Sequence, residues 1–362
     1  MKANMKYLGG ALLVIATLTA IILSGGNATI TQGGTPDAYL EYTCIEAKKS
    51  IAVKASYVRL HDCEVVDSTS HGILIGGDGK DVHHVIVENN VVRNSITENG
   101  VYPNCGSNSW GSGIKIGLGA HDIIVRNNHV ENVCGEGIAA TRAPNVTIEN
   151  NIVSNGWAGA IYTDASQATV ISGNTVTCQA VNVAGRQSFG IMAGHEYYAG
   201  WIGSRDRVQI LNNIVSGCSD GINVFNPEAG AVNTVFSNAL IDGNIVVLGG
   251  RYAIHISSGV VTSNARISNN KTYILPTGKL AGVVLSNNTI YAGPVVTPPT
   301  STPGAASTAT RTAAPVTATR TAVPSITPTR TPSTVPVTGT PPILLWECTV
   351  SPNQINCKIH QP

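Results

Sequence analysis

The sequence predicts an all-β chain wound into a single-stranded parallel β-helix of about eight to nine coils, and three observations predict it. The stretch Asn145 to Val153 recurs at His84 to Val92, Asp122 to Val130, Ala168 to Val176, Arg207 to Val215, Asn238 to Val246, Asn264 to Thr272 and Gly282 to Ile290. These copies align Asn90, Asn128, Asn151, Asn174, Asn213, Asn244, Asn270 and Asn288. A second phrase precedes the copies, as in Gly72-Ile-Leu-Ile, Gly113-Ile-Lys-Ile, Gly137-Ile-Ala-Ala, Ala160-Ile-Tyr-Thr, Gly190-Ile-Met-Ala, Gly221-Ile-Asn-Val and Ala253-Ile-His-Ile. Finally, no segment of helical length carries a helical period, which excludes a doubly wound fold. Each unit then buries its apolar face only by stacking on its neighbours.

Taken in order, residues 1–26 open with Lys2 and Lys6, run apolar from Tyr7 to Leu23 and end in Ser24-Gly25-Gly26. That is the pattern of an export signal, with an uncleaved N-terminal anchor as the alternative. Residues 27–43 are expected to lead in, and 44–296 to form the helix. There the two phrases give two short strands per coil, with like residues piled in columns about 4.8 Å apart. Ile73, Ile114, Ile138, Ile161, Ile191, Ile222 and Ile254 form an inward column, and the asparagines form another at a bend, each amide bonding to the coils on either side. The Gly and Ala positions before the isoleucines are expected to face outward as a flat floor. Insertions interrupt the repeat at Ile96 to Trp110, Gly194 to Arg207 and Pro227 to Ser237. On solenoids such loops gather on a functional face.

Eight cysteines in an exported chain are expected to pair. Coil register suggests pairing in order: Cys44 with Cys63, Cys105 with Cys134, Cys178 with Cys218, and Cys348 with Cys357. Residues 297–342 are rich in Thr, Pro, Ala and Ser with no acidic residue, an extended linker that cannot bury a core. Residues 343–362 are too short to fold without their disulfide, and form an expected hairpin about Pro352-Asn353. With a formal net charge of +1 and 12% charged residues, the chain carries no footprint for nucleic acid. It is expected to be a secreted or cell-surface monomer that touches membrane only through an uncleaved N-terminus.

On these rungs and strand phrases the chain, from about Cys44 to Ala292, resembles the right-handed parallel β-helix repeat proteins of the pectin-lyase-like superfamily. The resemblance implies a right-handed coil and a functional class among polysaccharide lyases, glycoside hydrolases, epimerases, tailspikes and adhesins. It does not choose between them. The Asn-Thr-Asp, paired Asp-Asp and Arg-Ile-Lys of polygalacturonases are missing, as is the Asp-Pro-His of alginate epimerases. So are the clustered aspartates with which pectate lyases hold calcium.

Function is therefore sought where the strand phrase breaks its own pattern. Alternation turns outward the residues after each isoleucine, giving Leu74, Lys115, Ala139, Tyr162, Met192, Asn223 and His255, with Thr141, Asp164 and Phe225 two residues further on. Lys115, Glu136, Arg142, Tyr162 and Asp164 lie on successive coils beside an insertion carrying His195, Glu196, Tyr197, Tyr198 and Trp201. Aromatic faces among carboxylates suit a carbohydrate. For a lyase, Lys115 or Tyr162 would take the proton alpha to a uronate, with Arg142 neutralising its carboxylate. For a hydrolase, two of Glu136, Asp164 and Glu196 would act. Tyr197, Tyr198, Trp201, Asn223 and His255 would hold substrate. The blander alternative is that these charges only pair between coils. His83 and His121 share a slot on adjacent coils, but without a third ligand in register they are expected to be turn residues. No metal or cofactor is expected. The function expected is binding of polysaccharide, with cleavage of lyase or hydrolase type left open; the alternative is a non-catalytic adhesin or structural module.

Overall fold

The computed structural model describes residues 20–178, 188–194, 196, 205–225, 234–247, 249–291, 345–351 and 354–360. Three long parallel sheets of eleven, ten and nine strands run through residues 21–290. Among the described residues there is no α-helix, only a single 3-10 turn at Thr97–Asn99.

Each coil contributes three strands rather than the two expected. The repeated stretch is itself two strands, Val146–Glu149 and Ile152–Gly156, joined at a corner by Asn150 and Asn151. The first residue of that corner takes a left-handed conformation: φ is 57° at Asn89, 54° at Asn127, 55° at Asn150 and 54° at Asn212. Asparagine tolerates this region better than most residues. Where the corner lacks asparagine it has glycine, Gly173 and Gly243, at φ 64° and 68°.

The second corner residue forms the expected ladder. Each amide Nδ2 donates to the next asparagine's Oδ1 at 2.9–3.0 Å, unbroken from Asn90 to Asn288. The same Oδ1 accepts the backbone N–H of the preceding rung, as when Asn151 N–H reaches Asn174 Oδ1 at 2.9 Å. Asn151 Nδ2 also donates to Val125 O at 2.9 Å. Cys63 opens the column, its N–H donating to Asn90 Oδ1 at 3.0 Å. Buried polar groups are thus satisfied where no water reaches.

The isoleucine column is as expected, in register from Ile51 to Ile254 and fully buried from Ile73 onward. Burying each such side chain contributes about 1.5–3 kcal/mol. The Gly and Ala row, however, does not face outward. A Cβ on Gly113 would meet Val130 Cγ1 at 2.7 Å, one on Gly137 Val153 Cγ1 at 2.5 Å, and one on Gly221 Val246 Cγ1 at 2.3 Å. These positions are small because they pack at a corner against the valines of the nine-stranded sheet.

Three disulfides pair as expected: Cys44–Cys63, Cys105–Cys134 and Cys178–Cys218. Ile21–Leu23, from the end of the expected export segment, pairs in parallel with Leu40–Cys44. Residues 1–19 and the linker lie outside the described residues, and no helix among those described is long and apolar enough to cross a membrane. The chain divides into two compact units, Met1–Ser301 and Thr302–Pro362. The second contains an antiparallel hairpin, Leu345–Ser351 with Gln354–His360, in which Cys348 and Cys357 are direct partners.

Candidate functional site

The outer face of the ten-stranded sheet is built from register. Lys115, Ala139, Tyr162, Met192, Asn223 and His255 are consecutive partners, as are Thr141, Asp164, Gly194 and Phe225. The expected columns therefore exist. What alternation could not show is how much of them is covered: Ala139 is fully buried, Tyr162 and Met192 are 5% exposed and Asp164 1%. Ala139, Tyr162 and Met192, with Phe189 and Phe225 against them, form an apolar ridge outside the main core.

Gly194 explains the ridge's shape. A Cβ there would lie 2.5 Å from the Tyr162 ring and 2.6 Å from Phe225. Its absence lets the two rings approach to 6.1 Å between centroids. The Tyr162 hydroxyl then reaches past Gly194 and donates to Glu196 Oε1 at 3.1 Å. The Glu196 N–H donates to Asp164 Oδ1 at 2.8 Å, fixing the start of the insertion on the face. Glu196 is exposed as a residue, yet its carboxyl is raised above its ordinary value, first by desolvation and then by the Asp164 charge. Glu136 raises it further, while the Tyr162 hydrogen bond and the Lys115 charge act the other way.

Lys115 Nζ donates to Thr141 Oγ1 at 2.7 Å. Glu136, 6% exposed, accepts from Ser112 Oγ at 3.1 Å. The Ser112 N–H donates to His71 Nδ1 at 3.1 Å, and burial, with the Lys115 charge, pushes that imidazole down to about 4. Arg142 leaves its strand at φ 52°, its N–H on Asp164 O at 2.9 Å.

Asn223 and His255 stand two and three coils beyond Tyr162, about 10 and 14 Å along the stack. They belong to a separate group around fully buried Asp220. Arg251 grips both Asp220 oxygens, at 3.0 and 2.6 Å, and Asn223 Nδ2 donates to Oδ2 at 3.0 Å. His255 stacks on Tyr252 with centroids 4.1 Å apart, and burial lowers its pKa.

The structure thus brings together Lys115, Glu136, Tyr162, Asp164 and Glu196, sets Asn223 and His255 apart, and covers Asp164 and Glu136. His195, Tyr197, Tyr198 and Trp201 lie outside the described residues. Sequence reasoning missed His71, Ser112, Phe189 and Asp220. The last three share a signal, for Ser112, Glu136, Gly159, Phe189, Asp220 and Tyr252 all stand two residues before the isoleucine column. Among the described residues, no three His, Cys, Asp or Glu side chains converge as a metal site.

Residues 44–195 match the family model described as a right handed beta helix region. Together with the three sheets, this makes the chain a right-handed parallel β-helix protein, as the rungs implied. No curated protein matches it in sequence. Among solved structures it is similar to PfbA, a surface adhesin of Streptococcus pneumoniae, at 12% identity over 75% of this chain and 68% of that one, with a TM-score of 0.42. It is also similar to the Dettilon tailspike protein, at 14% identity over 74% and 60% with a TM-score of 0.36. The A-module of the Azotobacter vinelandii mannuronan C-5 epimerase AlgE4 is a third, at 14% over 75% and 86% with a TM-score of 0.31.

Proposed function

We propose that this β-helix is an extracytoplasmic glycan-binding protein whose recognition face is the outer surface of the ten-stranded sheet around Tyr162. The observation that carries this is the Tyr162–Glu196 hydrogen bond beside an aromatic ridge, with Lys115 near enough for its charge to act on Glu196 and with Glu196 pinned to Asp164. Sugar rings offer apolar faces and a fringe of hydroxyls, so the partly exposed rings of Phe189 and Phe225 beside an amine and a carboxyl complement them. The three disulfides fit the oxidising compartment where such ligands occur.

Binding is favoured over cleavage by where the carboxylates lie. Glycoside hydrolysis needs two carboxyl groups flanking the scissile bond. Asp164 and Glu136 are 1% and 6% exposed, and they are engaged with the Glu196 N–H and with Ser112. Only Glu196 reaches solvent, and its raised carboxyl is the one feature that favours hydrolysis, as a general acid.

A panel of uronate and neutral polysaccharides, incubated with the secreted protein and read by absorbance of unsaturated products and by reducing ends, separates the readings. Retention of a glycan without product supports recognition alone. Product formation that disappears in Glu196→Gln would replace it with the hydrolytic reading, and no retention of any glycan would remove both.

A further inference from the structure

A second cluster lies on the opposite branch of the coil, where the stretch Val82–Glu88 begins. His83 and His84 are sequence neighbours, and strand alternation would send them to opposite faces. His84 is left-handed, at φ 53°, and the reversal brings both imidazoles to the same side. Their Nδ1 atoms share a hydrogen bond at 2.8 Å, one ring donating and the other accepting, with the rings turned 82° apart. Both residues are partly exposed, so the pair is open to solvent.

The rings are held on several sides. Tyr57 stacks on His84 at 5.0 Å and meets His83 edge-on at 5.1 Å, while His121 of the next coil stacks on His83 at 5.1 Å. His121 is itself fixed between Asp122 at 2.6 Å and Asp81 at 2.7 Å. The Asp122 carboxylate lies close enough to His84 for the two charges to interact.

We infer that His83 and His84 form a two-nitrogen clip for a divalent transition-metal ion of square-planar preference, Cu2+ above all. Two imidazole nitrogens in cis positions, each about 2.0 Å from an ion, stand about 2.8 Å apart at a right angle, whereas a tetrahedral Zn2+ sets them about 3.3 Å apart. The observed 2.8 Å is the length of the hydrogen bond the rings share, so an ion enters by displacing that proton to solvent as both lone pairs turn toward it. Asp81 and Asp122, bridged by His121, lie beside the pair, and water completes the coordination. Stacking by Tyr57 and His121 holds the two rings in place. Sequence spacing passes over the clip because His84 joins His83 only through the left-handed turn.

The test is titration of untagged protein with CuCl2, followed by calorimetry and by electron paramagnetic resonance, with MnCl2 as the weakly binding comparison. His84→Asn and His83→Asn are compared with His129→Asn, a histidine elsewhere on the stack. Asparagine suits position 84, because Asn145, Asn238 and Asn264 hold the aligned left-handed position in other coils at φ 56°, 48° and 51°. One Cu2+ per chain is expected, with nitrogen hyperfine coupling from two imidazoles. Each clip variant should lose about tenfold or more in affinity, while His129→Asn and the metal-free melting temperature stay unchanged. Absence of stoichiometric Cu2+ binding, or equal affinity and spectra in wild type and His84→Asn, would overturn the clip.

Discussion

Asn150 and Asn151 stand side by side and do different work. Asn151 spends its amide on four hydrogen bonds to neighbouring coils while fully buried. Its replacement by Ala should cost about 1–3 kcal/mol, measured by denaturant unfolding, because the partners on either side are left unsatisfied. Asn150 instead holds the left-handed corner. Asn150→Gly should be close to neutral and Asn150→Val should destabilise by about 1–2 kcal/mol. Equal effects of the two would show that the corner's conformation is not what asparagine supplies there. The ladder was legible because its spacing is regular and an amide can donate and accept at once. The role of the preceding residue was not, although Asn89, Asn127, Asn150, Gly173, Asn212 and Gly243 repeat in step with the ladder, because repetition does not by itself show a left-handed φ.

At the scale of the element, the sequence indicated the isoleucine column and the column after it, and the observed register agrees, while the Gly and Ala row expected outside packs against core valines. It could not indicate burial. Tyr162 and Asp164 point out of the coil and are nonetheless covered, because Gly194 lets the Tyr162 ring lie flat across the strands. Missed as well was the folding of the repeated stretch as two strands, although the polar and apolar alternation breaks at Glu149-Asn150-Asn151, where the corner falls. His71 gives this element a pH signature. Its folded pKa is depressed to about 4 from 6.5, so below 6.5 the unfolded chain binds the extra proton. Its stabilising contribution is therefore present above 6.5 and is lost as pH falls towards 4. His71→Gln should flatten the decline in melting temperature over that window, and an unchanged profile would show the ring titrating as an ordinary histidine. Glu196 has the opposite sign. Its carboxyl is raised, so stability falls as pH climbs from the ordinary glutamate value through the raised one, and Glu196→Gln should remove that fall.

Across the whole molecule, each coil depends on its neighbours, and the disulfides clip the stack at three places along it. Cys178–Cys218 closes 40 residues, for which chain entropy alone gives about 4 kcal/mol. Replacing both cysteines with serine should lower stability by up to that amount in denaturant unfolding, and a smaller loss would place part of the effect in the folded state. Fold class, ladder and disulfide order were all legible because a solenoid writes its architecture as repetition. The candidate site was legible only as the place where repetition fails. The chemistry there depends on three-dimensional details that repetition does not encode, such as Glu196 folding back onto Asp164.

The central claim is that the Tyr162 face recognises glycan, and the most direct measurement is the affinity of wild type, Lys115→Ala and Glu196→Ala for the best-retained polysaccharide of the panel. Loss of about tenfold or more in both variants, with melting temperatures kept near wild type, is the expected result. Unchanged affinity in both would contradict the claim and move recognition to another surface of the helix.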